Sequence, residues 1–156
     1  MKLQSIARTV GLAAVVGGAV VAPALAHHSF AMYDQTKTLT LTGVMTQFIA
    51  QANHAELHLF MIGPDGKLVK GKDGKNVDYG VELAGAAAMA EQGITGETFP
   101  PGTIFSIKVN PMRDGSNFGS RAGGSAIAKC PWKKPPAHGK ACDSVEGHEL
   151  IGGKTF

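Results

Sequence analysis

Between residues 38 and 61 the chain alternates apolar and polar positions with the two-residue period of a half-buried strand. In "TLTLTGVMTQFI" (38–49) Leu39, Leu41, Val44, Phe48 and Ile49 are separated mainly by Thr and Gln, and Gly43 offers a place for a bend or bulge. After the short turn "QAN" the segment "HAELHLFM" (54–61) alternates more cleanly. Ala55, Leu57, Leu59 and Met61 fall on one face, and His54, Glu56, His58 and Phe60 on the other. The pair predicts a β-hairpin.

The run "GPDGKLVKGKDGKN" (63–76) is rich in Gly, Lys and Asp and reads as an exposed loop, with room for a small hairpin of its own. "VDYGVEL" (77–83) predicts a third strand. "AGAAAMAEQG" predicts a short helix that Gly93 ends, and "TIFSIKVN" (103–110) a fourth strand. "PMRDGSNFG" reads as a loop, leaving Gly124 to Lys129 and the later "HELIG" as a broken fifth strand. Three strands, a helix and two strands is the order of a small five-stranded barrel resembling an OB-fold, with its helix between strands 3 and 4. A mainly β fold of this kind also removes the free edges that favour aggregation; an open sandwich is the alternative.

The first 26 residues differ in kind. Lys2 and Arg8 precede the run "GLAAVVGGAVVAPALA", which ends in Ala24-Leu25-Ala26, the basic head, apolar body and small-x-small end of a secretory signal peptide. The run is broken by glycines and Pro23 and falls short of the roughly 20 apolar residues a membrane span needs. The expectation is cleavage after Ala26, a periplasmic or secreted protein, no stable membrane insertion, and a single domain over 27–156. Lys2 and Arg8 leave with the signal, so the formal charge falls from +3 to +1. That balance offers no face for a phosphate backbone, which excludes nucleic acid as the expected partner. Cys130 and Cys142 are the two cysteines, and in an oxidising compartment they are expected to pair around "PWKKPPAHGKA".

The candidate chemistry lies in histidine. All six, His27, His28, His54, His58, His138 and His148, follow the expected cleavage site. A terminal His27 offers its α-amine and ring to a metal, and one further imidazole completes a nitrogen set that suits copper(II). At about 3.3 Å per residue His54 and His58 stand roughly 13 Å apart on a strand and cannot share an ion, whereas His27, 11 residues before the strand start at 38, has the span to reach either. The expected metal ligands are therefore drawn from His27, His28, His54 and His58. Asp34, Glu56, Asp78 and Glu82 show no spacing that pairs two carboxylates, and Ser29 beside His28 is no catalytic arrangement.

Several segments, "AHHSFAMYD", "LTLTGVMTQF", "ANHAELHL", "GVEL", "PPGTIFSIKVNPMRDGSN" and "EGHELIGG", resemble in order a family of small exported bacterial proteins, domain of unknown function number six-one-five-two. The resemblance covers nearly all of residues 26–153. The family element Asn-Pro-His-Ala-Trp is matched at Asn53, His54 and Ala55, without the proline and with Glu56 in place of the aromatic. The resemblance implies an exported β-domain and supplies no activity. Together these readings lead to a non-enzymatic periplasmic binding protein that holds copper as cofactor or cargo. The alternative is a metal-free module that binds a periplasmic protein or a small ligand.

Overall fold

The structure is a computed structural model and describes residues 30–156. Seven strands form one sheet: β1 (Leu39–Ile49), β2 (Glu56–Met61), β3 (Asp78–Glu82), β4 (Ile104–Pro111), β5 (Phe118–Arg121), β6 (Ile127–Lys129) and β7 (Glu149–Ile151). The order β1-β2-β3-β5-β4 closes through a β1–β4 ladder into a five-stranded barrel, and β6 and β7 continue outward from β4. The one α-helix among the described residues, α1 (Ala86–Glu91), lies between β3 and β4, as the sequence order predicts.

Alternation explains the core. Leu57 and Leu59 of β2, Tyr79 and Val81 of β3, and Phe105, Ile107 and Val109 of β4 point inward and are buried. Met89 of α1, Ile94 and Phe99 join them, the Phe99 and Phe105 rings meeting edge to face at 5.6 Å. Strand β1 is long enough to pair with both β2 and β4: Gly43 stands opposite Met61 on one side and Phe105 on the other. The irregularity in β1 falls between Met45 and Gln47 rather than at Gly43. Gly43 has a different task, since a Cβ there would lie 2.4 Å from the side chain of Leu59.

The fifth barrel strand is not where the sequence pattern places it. Phe118–Arg121, whose first two residues end the stretch read as loop, runs parallel to β3 and antiparallel to β4 and closes the barrel. Its sequence, "FGSR", has no hydrophobic alternation because Gly119 is squeezed between neighbours: a Cβ would approach the Asn110 carbonyl oxygen to 2.8 Å and the Tyr79 hydroxyl to 3.1 Å. The segments expected to form that strand instead become β6 and β7, paired with each other outside the barrel.

Cys130 and Cys142 are disulfide-bonded, as expected. The loop they close lies over the outer face of the β1–β4 ladder. The Cys142 amide donates to the Ser106 hydroxyl at 2.9 Å, and that hydroxyl meets Thr42 Oγ1 at 2.7 Å. Arg121, at the end of β5, donates to the Ser125 and Gly152 carbonyls and to the Gln92 side chain at 2.8, 2.6 and 2.9 Å, which ties the barrel to the helix end and to β7. Among the described residues no helix is long and apolar enough to cross a membrane.

Candidate functional site

Because β2 and β3 alternate in phase, their polar residues share the outer face. The register sets Glu56 opposite Glu82, His58 opposite Gly80 and Phe60 opposite Asp78. Two carboxylates directly opposed on a sheet repel, and each is turned to its own partner. Glu56 meets His58 Nε2 at 3.0 Å, while His58 Nδ1 meets Asp78 at 3.0 Å. Thr46 donates to the other Asp78 oxygen at 3.3 Å.

A neutral imidazole has one N–H, so a ring held between two carboxylates is fully satisfied only as the cation. Burial pulls the His58 pKa down, but the hydrogen bonds and charges of Glu56 and Asp78 outweigh it and hold it above 6.5. Gly80 makes the arrangement possible. A Cβ there would lie 2.4 Å from the Phe118 ring and 3.3 Å from His58 Cε1.

Glu82 gathers a second set. Its Oε1 lies 3.5 Å from His54 Nδ1, and its Oε2 accepts a hydrogen bond of 2.9 Å from the Tyr33 hydroxyl. Tyr33 is 2 % exposed, and its burial and the adjacent carboxylate push its ionisation well above the ordinary phenol range. The chain that delivers it is strapped down: Asp34 N–H donates to the Pro111 carbonyl at 2.8 Å, and the Arg113 amide and guanidinium donate to the Met32 and Ala31 carbonyls, each at 3.0 Å. Asp34 is itself held by Thr36 and Lys37, which lower its pKa to about 2.

Of the four histidines expected to bind metal, His27 and His28 lie outside the described residues. His54 and His58 belong to one polar face but to separate clusters, the first on Glu82, the second between Glu56 and Asp78. Among the described residues no three His, Cys, Asp or Glu side chains are grouped to hold a metal ion. His138 rests over Gly66, and His148 Nδ1 lies 2.9 Å from the Val145 carbonyl. Sequence spacing left Glu56 and Glu82 unpaired, whereas the register brings them face to face. It gave Asp78 no partner and did not raise Tyr33. The signal for the acids was present in "VDYGVEL", where Asp78 and Glu82 alternate with buried Tyr79 and Val81; nothing local marks Tyr33, which is 49 residues from its partner.

A closed five-stranded barrel carrying a carboxylate and imidazole network on one face defines a small β-barrel domain. The chain belongs to the family described as "Family of unknown function (DUF6152)", whose model matches residues 14–121. No curated protein and no solved structure matches it. The matched residues end with β5, the strand that closes the barrel; the disulfide-closed loop lies beyond them.

Proposed function

We propose that the chain is an exported, non-enzymatic carrier domain that binds copper(II) through the α-amine and ring of His27, freed by cleavage after Ala26, together with the ring of His54. The observation that carries this reading is the Tyr33–Glu82–His54 line. Tyr33 and His54 bind the two oxygens of one carboxylate, and His27 precedes Tyr33 by six residues, a reach of about 20 Å. The tether is therefore shorter than one counted from the start of β1 and begins beside the imidazole it must meet.

Glu82 on Nδ1 also supports the choice of ring. A carboxylate beside one imidazole nitrogen favours the tautomer that carries the proton on that side, an arrangement usual around a metal-bound histidine. A metal at His58 would have to displace Glu56 or Asp78 from one of its ring nitrogens. A site with two donors from the chain terminus needs one side chain from the barrel. The role is carriage of the ion in the periplasm.

The test is copper(II) titration of the cleaved protein followed by electron paramagnetic resonance, beside a version with one extra N-terminal alanine and the variants His54→Gln and His58→Gln. The expected result is a nitrogen-rich signal that changes with the added alanine and with His54→Gln and persists in His58→Gln. Identical spectra from all four proteins would overturn the assignment.

A further inference from the structure

The acidic network sits at the start of β2, and the chemistry changes sign at the other end of that strand. Residues 63–76 hold Lys67, Lys70, Lys72 and Lys75 against Asp65 and Asp73, and residues 131–141 hold Lys133, Lys134 and Lys140 with no acid. These two loops thus carry a formal +5, while the remainder of the chain after residue 26 carries −4. Such segregation sets up a local field that favours anions.

The two loops are also neighbours. His138, near the tip of the disulfide-closed loop, lies over Gly66, where a Cβ would come within 2.6 Å of its ring. Between the loops and the edge of β1 opens a cleft of about 600 Å³, within the size range of small-molecule sites. Met61, Ile62, Val69 and Pro136 give it an apolar wall; Thr40 and Lys140 bring polar groups to the same space. Lys140 forms no ion pair among the described residues, and Asp143 is the single acid in the lining. The disulfide holds the lysine-bearing wall in place over β1 and β4, so part of the ordering cost of binding is met on folding.

We propose that this cleft is a second binding site, for a small organic anion with an apolar chain. The chain lies against Met61, Ile62, Val69 and Pro136, and the anionic head is held by Lys140 with the Thr40 hydroxyl beside it. The site is independent of the copper reading, sharing no residue with it.

Octanoate is a suitable probe, with acetate and 1-octanol supplying the head and the chain separately, each titrated into the ¹⁵N-labelled protein and followed by amide chemical shifts. The expected result is saturable octanoate binding, with shifts concentrated at Thr40, Met61, Val69, His138 and Lys140. Affinity falls roughly tenfold in Lys140→Gln, as for loss of one charged hydrogen bond, and is unchanged in Lys154→Gln, which lies outside the cleft. Acetate and octanol each bind at least roughly tenfold more weakly, since each lacks one of the two contacts. Absence of saturation, shifts scattered over the surface, octanol binding as tightly as octanoate, or Lys140→Gln binding as the unaltered protein does would each overturn the proposal.

Discussion

Replacing Tyr33 by phenylalanine removes one hydroxyl and leaves a ring that is 2 % exposed in its packing. The hydroxyl donates to a Glu82 carboxylate oxygen at 2.9 Å. A hydrogen bond to a charged group contributes about 1.5–3 kcal/mol, and because the Glu82 side chain keeps 20 % of its exposure, water can replace part of the loss. The lower end, about 1.5 kcal/mol, is therefore expected, a fall of roughly 6 °C in Tm for a domain of this size. Tyr79→Phe provides the comparison. Its hydroxyl donates to the neutral Phe118 carbonyl at 2.9 Å, for which about 1 kcal/mol is expected. The assay is urea unfolding of Tyr33→Phe, Glu82→Ala and the double variant, so that the coupling between the two groups is isolated. A coupling below about 0.3 kcal/mol, within the usual error of additivity, would refute the reasoning that this bond fastens the entering chain to the barrel.

Three further outcomes follow from the same face and its supports. Because the folded His58 pKa lies above 6.5, its clamp contributes stability that is fully present below that value and is lost as pH rises through the raised folded value; Tm measured across about pH 5 to 9 falls over that window, and His58→Gln removes this component. Gly80→Ala places a Cβ 2.4 Å from the Phe118 ring and is expected to cost about 2 kcal/mol in urea unfolding, the His58 component of the pH profile shrinking with it. Arg121→Met keeps a long apolar side chain but removes the donors to Ser125, Gln92 and Gly152, with an expected loss of about 3 kcal/mol by thermal or urea unfolding.

Where alternation was strong, the elements were legible. The hairpin of β1 and β2, the strand around Tyr79 and Val81, and the strand around Phe105 to Val109 each bury one face, and a two-residue period records that directly. The helix was visible through its alanines and the glycine at its end. Strand β5 was hidden because its place is set by backbone proximity rather than side-chain burial: Gly119 sits where no larger residue fits, and a glycine beside an Asp-Gly turn looks like loop. The candidate site divides in the same way. Histidine positions can be counted in a sequence, but the pairing of Glu56 with Glu82 depends on register, and Tyr33 meets Glu82 through a segment with no periodicity of its own.

All five barrel strands lie between residues 39 and 121, and the first cysteine comes at 130. Cys142 is seated by the Ser106 hydroxyl, a group on β4 that is already joined to Thr42 of β1. The seat of Cys142 is thus built from a pairing between two earlier strands, and the disulfide fastens a cover onto that frame. The wall carrying Lys140 and His138 is therefore tied down by a covalent bond, while the face carrying Glu56 and Glu82 is held by the pairing of β2 with β3.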